Sequence, residues 1–218
     1  MAQRTLVPDR ADERVRMTYE EYLEWPGSEL AAEWVDGEVI VFMPPTVRHA
    51  DVVVFLVNLL SYFVRKRRLG RVLAAAFEMR LRVIPSSREP DVAFISSKHL
   101  DRIRDGRVDG PADLVVEVVS PESLTRDRRD KRREYAEAGV SEYLLVDGRE
   151  GRRGVTLLVL GDGGQYAEVV PDFEGLLWST VAPGFWIDPA WFDEDPMPDP
   201  FEIGDAMLAN DAEGDVKT

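Results

Sequence analysis

Cysteine is absent from this chain of 218 residues, and histidine occurs only twice. A chain without thiols forms no disulfide framework, no thiolate zinc site and no cysteine nucleophile. Its longest apolar stretch, from Val52 to Val64, contains Asn58 and Ser61 and is too short for a membrane span. The polar start of the chain has no apolar core of the kind that a signal peptide needs. These absences predict a cytoplasmic protein without a membrane partner.

Positive charge is scarce as well, because 27 Lys and Arg stand against 41 Asp and Glu, for a formal net charge of -14. This balance disfavours a protein that coats nucleic acid by bulk electrostatics. Residues 193–218 alone hold nine acidic residues and one lysine. They include three prolines and little apolar surface, so we predict a disordered acidic tail that keeps the chain soluble or binds a partner. Residues 1–16 are predicted to be flexible, and residues 17–192 to form the folded domain.

Hydrophobic patterning predicts an α/β fold with a mixed sheet. Thr18 and Glu21 have the spacing of a capping box, which indicates a short helix. An Asp-Gly pair at 36–37 joins two strand-like runs, 32–35 and 38–42, into an N-terminal hairpin. The stretch 48–66 is apolar almost all round. It is therefore predicted to be a helix covered by a sheet on one side and by a second subunit on the other, which implies a homodimer.

The middle and C-terminal parts of the chain alternate between strand and helix patterns. Residues 72–84 predict one long or two short strands. Three further runs are predicted to be strands: 91–95, 114–119 and 142–146. Residues 126–138 predict a helix that ends at Gly139. After Asp147, two short runs at 154–160 and 166–170 predict a β-meander.

Glu117 interrupts the run Leu-Val-Val-Glu-Val-Val of residues 114–119. Such a run is typical of a central strand that is buried on both faces. A charged carboxylate buried there without a partner is strongly unfavourable or shifts its pKa. Two hypotheses remain open for Glu117: a structural salt bridge to an arginine, or a role as metal ligand or catalytic acid.

Asp91 opens the preceding strand and provides a second carboxylate close to a strand end. Magnesium takes oxygen ligands and keeps several waters, so Asp91, Glu117, water and a substrate phosphate would complete its coordination shell. Lys131 follows on the next helix and could orient a water nucleophile or stabilise charge on a phosphate, unless it faces solvent. Glu33 and His49 are the remaining candidates, and a structural role for His49 is the alternative.

Several motifs stand in a fixed order along the chain. They are Glu33-Trp34-Val35-Asp36-Gly37-Glu38, Pro44-Pro45 with Arg48-His49, Glu89-Pro90-Asp91-Val92, Pro111 to Pro121, Asp127 to Lys131 with Tyr135-Ala136, Gly139-Val140 and Glu142 to Asp147. Together they cover about residues 17–192 and resemble the Uma2 family, a bacterial domain family of the PD-(D/E)XK, or restriction-endonuclease-like, superfamily.

The resemblance implies a restriction-endonuclease-like core with a mixed central sheet flanked by helices, an N-terminal hairpin and a C-terminal β-meander. It implies that Asp91 and Glu117 bind Mg²⁺ or Mn²⁺, and that Glu33 and His49 face the same pocket. The superfamily pattern would place its lysine two residues after Glu117, where this chain has a valine. The resemblance implies that Lys131 replaces that lysine from the following helix.

The function predicted on these grounds is metal-dependent endonuclease cleavage of DNA phosphodiester bonds. The catalytic set would be Asp91, Glu117, Lys131, Glu33 and His49, and two basic runs, at 65–68 and 126–133, would guide the phosphate backbone. The alternative is a catalytically inactive module of the same fold that binds nucleic acid or protein through acids kept as structural ion pairs.

Overall fold

The computed structural model describes residues 14–25, 32–41, 45–74, 77–120, 123–147, 149 and 154–214. Within them, the α-helices are α1 (Tyr19–Leu23), α2 (Val47–Arg67), α3 (Arg132–Ala138) and α4 (Pro200–Gly214). The strands are β1 (Arg14–Arg16), β2 (Ala32–Val35), β3 (Glu38–Val41), β4 (Gly70–Ala74), β5 (Met79–Leu81), β6 (Ser86–Arg88), β7 (Val92–Ser96), β8 (Ile103–Arg104), β9 (Arg107–Asp109), β10 (Leu114–Val119), β11 (Glu142–Asp147), β12 (Gly154–Leu160), β13 (Tyr166–Glu168), β14 (Leu177–Trp178) and β15 (Trp186–Ile187). The predictions for residues 1–13, Phe42, Pro44 and Pro121 lie outside these ranges.

The strands form two larger sheets and one short pair, β14–β15. The first sheet has the order β1-β3-β2-β6-β5-β9-β8, and the second has the order β13-β12-β11-β10-β7-β4. In the second sheet β10 is parallel to β11 and antiparallel to β7, so the predicted mixed sheet is confirmed. The antiparallel series β11, β12 and β13 forms the predicted meander.

Local signals locate several elements accurately. The side chain of Thr18 accepts a hydrogen bond from the backbone N of Glu21, whose carboxylate accepts one from the backbone N of Thr18, so the predicted capping box begins α1. In the hairpin, Asp36 and Gly37 both have positive φ, at 48° and 80°. Two residues of positive φ produce the backbone twist that a tight hairpin turn requires.

The predicted strand pattern at 72–84 belongs to two strands in different sheets. β4 pairs with β7 in the second sheet, whereas β5 pairs with β6 and β9 in the first. The alternation itself is present in β5, because Met79 and Leu81 are fully buried and Arg80 is not. β6, β8 and β9 have no counterpart in the sequence prediction, because short polar runs such as Ser86–Arg88 become strands through their pairing partners rather than through propensity.

Helix α2 supplies a large part of the main core. Seven of its side chains are buried: Val52, Phe55, Leu56, Leu59, Leu60, Phe63 and Val64. They pack with apolar residues of β7, β10 and β11, and α2 also contacts α4. By length and composition α2 could cross a membrane. Its seven buried side chains face the protein core, whereas Val54 on the same helix is exposed.

The two chain ends differ from the sequence prediction. Arg14–Arg16, expected to be flexible, form β1 and pair with β3. Residues 193–218 were expected to be disordered, but α4 lies within them and packs against α2. The reason is that Ile203, Met207 and Leu208 fall on one helix face and bury it against the main core, where Met207 is 1% exposed.

Candidate active site

The predicted site residues come from both larger sheets and from two helical segments. Glu33 lies on β2, Asp91 immediately precedes β7, and Glu117 lies on β10. His49 is in the first turn of α2, where the Thr46 side chain accepts a hydrogen bond from the His49 backbone N at 3.2 Å. Lys131 ends a π-helical segment, Arg126–Lys131, that leads directly into α3. The structure brings all five together between the first and second sheets.

Lys131 links the two buried glutamates. Its Nζ atom lies 2.8 Å from Glu117 Oε1, 2.9 Å from Glu33 Oε1 and 3.8 Å from Asp127 Oδ1. The side chain is almost fully buried, and burial opposes its charge, but Glu117 and Glu33 more than compensate and raise the pKa of Lys131 above its ordinary value. Lys131 is therefore a buried cation, and the alternative of a solvent-facing lysine is wrong.

The helical segment also brings a tyrosine into the site. Tyr135 is fully buried, and its hydroxyl donates to Glu117 Oε1 at 2.8 Å. The predicted helix at 126–138 is thus present, although its first half is π-helical and only its second half, α3, is α-helical. Short π-helical turns are frequent at functional sites.

Asp91 and His49 form the more accessible edge of the site. Asp91 Oδ2 accepts a hydrogen bond from the backbone N of Val118 at 2.7 Å, which ties it to the strand of Glu117. His49 Nε2 lies 3.3 Å from Asp91 Oδ1, and the two side chains are 17% and 25% exposed. Burial raises the pKa of Asp91 above its ordinary value. The site therefore opens to solvent beside this pair and is closed around Lys131.

An arginine that the sequence prediction missed completes the network. Arg88 is 2% exposed on β6, and its Nη1 donates to Glu33 Oε2 at 2.7 Å. Its Nε and Nη2 atoms donate to the two carboxylate oxygens of Glu134 at 2.9 and 2.8 Å. Of the two hypotheses for Glu117, the ion pair to an arginine is not found among the described residues. Arg88 pairs with Glu33 and Glu134, and Lys131 pairs with Glu117.

The carboxylates in this cluster respond differently to their surroundings. Burial raises the pKa of Glu117 to about 8, with Asp127 and Asp91 adding to the rise and Lys131 opposing it. Burial also acts on Glu33, but Lys131 and Arg88 outweigh it and lower its pKa to about 2. Glu33 is therefore held as a carboxylate, whereas Glu117 takes up a proton more readily.

The donor set suits a hard divalent cation. Mg²⁺ is commonly held by one or two carboxylates, with water and substrate oxygens completing its shell. Asp91 and Glu117 provide such carboxylates, and Asp127 adds a buried Oδ1 that has no hydrogen-bond partner among the described residues. Within the described residues, no cluster of three or more His, Asp or Glu forms a ready-made metal site. A divalent ion held by Asp91 and Glu117 would therefore keep several of its own waters.

The fold is shared with a solved nuclease-like structure. The chain is similar to "a putative nuclease belonging to DUF820" from Anabaena variabilis ATCC 29413, with a TM-score of 0.65 and 17% sequence identity over 81% of this chain and 97% of that chain. This similarity confirms the predicted α/β fold with a mixed sheet. A family described as "Uma2: Putative restriction endonuclease" matches residues 19–190. The chain belongs to the Uma2 family. No curated protein matches it.

Proposed function

We propose that this protein is a metal-dependent endonuclease that hydrolyses DNA phosphodiester bonds. One observation carries the proposal: Lys131 bridges the buried acids Glu33 and Glu117, and the accessible Asp91–His49 pair lies beside them. Metal-dependent phosphodiester hydrolysis uses carboxylates that hold the metal, a cation that stabilises developing negative charge and a proton acceptor. Membership of the Uma2 family supports the same reaction class.

Each residue has a defined part in this proposal. Asp91 and Glu117 would hold Mg²⁺ or Mn²⁺, which supplies Lewis-acid stabilisation and lowers the pKa of water. Lys131 stabilises negative charge on the phosphate and, through its two ion pairs, holds Glu33 and Glu117 in place. His49 lies at the accessible edge, where its imidazole can orient Asp91 or take a proton from water.

Positive charge close to the site would attract the DNA backbone despite the acidic total. Arg129, Arg132 and Arg133 are exposed on the two helical segments that carry Lys131 and Tyr135. Attraction by clustered arginines is local, because salt screens exposed charges over about 10 Å at 0.1 M ionic strength. Binding to DNA should therefore weaken steeply as salt is raised.

A plasmid-nicking assay with Mg²⁺ or Mn²⁺ tests the proposal. We expect Asp91→Asn, Glu117→Gln and Lys131→Met to lose at least about a hundredfold in rate, the size typical of removing a charge-stabilising group from an active site. Glu137→Gln is the matched control, because Glu137 is an exposed acid on α3. Circular dichroism of each variant shows whether it is folded.

Two readouts decide the outcome. Calorimetric titration with Mn²⁺ should show binding to the wild type and to Glu137→Gln, and weakened binding to Asp91→Asn and Glu117→Gln. Folded Asp91→Asn and Glu117→Gln proteins that nick DNA as fast as the wild type would refute the proposed site.

The same network favours a second candidate, a nuclease-fold module without catalysis. Glu117 Oε1 already accepts hydrogen bonds from Lys131 and Tyr135, and both oxygens of Glu33 have partners of their own, so the acids are satisfied as structural ion pairs. This candidate predicts measurable DNA binding, no nicking and no rise in melting temperature with Mn²⁺. A clear rise with Mn²⁺ would exclude it.

A further inference from the structure

A cleft of about 440 Å³ lies on the first sheet. Its lining consists of four arginines, two aspartates and one tyrosine: Arg80, Arg82, Arg104, Arg107, Asp105, Asp109 and Tyr19. The lining thus carries two positive charges in excess, although the whole chain is strongly acidic. The volume is that of a site for a small molecule.

The cleft and the candidate active site lie on opposite faces of the first sheet. Successive side chains of a strand point to opposite faces, and directly paired residues share a face. Ser87 pairs with both Trp34 and Arg80, so these three lie on the cleft face. Their chain neighbours Glu33 and Arg88 consequently face the active site. The cleft is therefore separate from the residues proposed to act on DNA.

Arg80 is the most informative residue of the cleft. Its guanidinium carbon lies 3.9 Å from the centroid of the Tyr19 ring and 5.0 Å from that of Trp34, so two aromatic rings hold the cation. Its Nη1 atom is shielded from solvent, and within the described part of the chain it has no hydrogen-bond partner. Arg80 also makes no ion pair among the described residues. Arg80 is thus a positioned cation with an unsatisfied donor, which an anion bound beside it would explain.

The other arginines are fixed in place and still have free donors. Arg82 and Arg104 both donate to Asp109, and these contacts, Arg82 first, lower the pKa of Asp109 to about 2. Arg107 Nη1 donates to the Tyr19 hydroxyl at 2.7 Å, and the same atom lies 3.6 Å from a Glu78 carboxylate oxygen. Each guanidinium has five N–H donors, so these contacts leave donors for a further anion.

We propose that this cleft binds the phosphate group of a small phosphate monoester. Guanidinium forks match phosphate oxygens in pairs, and the four arginines outnumber the acids around the cleft even when Glu78 is counted with Asp105 and Asp109. The volume admits a mononucleotide-sized molecule. The proposal is independent of the nuclease function, because the cleft lies on the other face of the sheet.

Calorimetric titration of the full chain tests the proposal with four probes: inorganic phosphate, AMP, adenosine and a short single-stranded oligodeoxynucleotide. We expect AMP to bind, inorganic phosphate to bind more weakly and compete with it, and adenosine, which lacks the phosphate, not to bind. Failure of AMP to bind overturns the proposal. Binding of the oligonucleotide alone also overturns it, because the source of the phosphate would then be nucleic acid.

Substitutions of cleft arginines test whether AMP binds in the cleft. Arg80→Gln and Arg104→Gln should each weaken AMP binding at least about tenfold, the effect of losing one charge-assisted contact. Arg104 is 55% exposed, so its replacement tests the cleft even if Arg80→Gln disturbs folding. Arg71→Gln, an exposed arginine on β4 in the other sheet, is the matched control and should bind like the wild type. Unchanged affinity in both cleft variants would overturn the assignment.

Discussion

Replacing Arg88 by methionine should destabilise the protein strongly. Arg88 is 2% exposed and donates to Glu33 once and to Glu134 twice, at 2.7 to 2.9 Å. Methionine fills much of the same space, so the change removes charge rather than volume. It leaves Glu134 without its cation and Glu33 with Lys131 alone.

The size of the effect follows from this burial. Breaking a buried ion pair by removing one partner costs about 3–5 kcal/mol, mainly because the remaining charge stays in the protein interior. In a chain of this length 1 kcal/mol lowers the melting temperature by about 2–4 °C. Arg88→Met should therefore melt about 6–20 °C below the wild type.

Urea unfolding and differential scanning calorimetry measure this change. Arg88→Lys should fall between wild type and Arg88→Met, because an ammonium keeps the charge but does not reproduce the paired contacts to Glu134. Arg71→Met controls for the substitution itself at an exposed position. The double variant Arg88→Met with Glu134→Gln should lose less stability than the two single changes added together, by about 1–3 kcal/mol.

A result of a different size would refute the reasoning. If Arg88→Met melts within about 2 °C of the wild type, the buried network contributes little, since exposed ion pairs have effects of that order. Strict additivity in the double variant would show that Arg88 and Glu134 do not interact.

Three further predictions concern other parts of the molecule. Burial opposes the charge of Asp147, but Arg149 and Arg128 outweigh it and lower its pKa, so its ion pairs stabilise the fold above about pH 4 and are lost as pH falls below that. The loss of unfolding free energy in Asp147→Asn should therefore be smaller at pH 3 than at pH 7, and an equal loss would contradict this. A Cβ at Gly204 would lie 2.6 Å from Tyr62 Cδ1, which is closer than two carbon atoms can pack. Gly204→Ala should therefore loosen α4 and lower its hydrogen-exchange protection, although alanine has the higher helix propensity. Unchanged protection would count against that packing. We also predict a homodimer through α2, where Val54 is 58% exposed, so Val54→Glu should sediment as a monomer; a monomeric wild type would contradict the dimer.

Helices and strands whose own residues contain a start, stop or burial signal could be predicted from the sequence. The capping box begins α1, the continuous apolar run becomes β10, and Gly139, with φ of 87°, ends α3 as predicted. The odd residue in that run, Glu117, marked a position that needs partners, because a buried charge requires them. The place of Lys131 beside it came from the family resemblance rather than from this pattern, and the catalytic roles of Asp91, Glu117 and Lys131 stay a prediction.

Features that depend on pairing between distant segments were not predictable in the same way. Ser86–Arg88 is polar and short, and it becomes β6 only because β2 and β5 lie on either side of it. Arg88 therefore gave no signal, although it is one of the largest fully buried side chains. Helix α4 was missed because acidic composition masked the spacing of Ile203, Met207 and Leu208, which fall on one face.

The Asp36-Gly37 turn is a local sequence signal that also determines pairing between distant segments. It sets the pairing of β2 with β3, and the backbone N of Asp36 also donates to the carbonyl of Pro85, just before β6. A slip of one residue in β2 would move Glu33 to the cleft face and Trp34 to the active-site face, because side chains alternate along a strand. One turn of two residues, readable in the sequence, thus determines the register on which both the buried acid network and the arginine cleft depend.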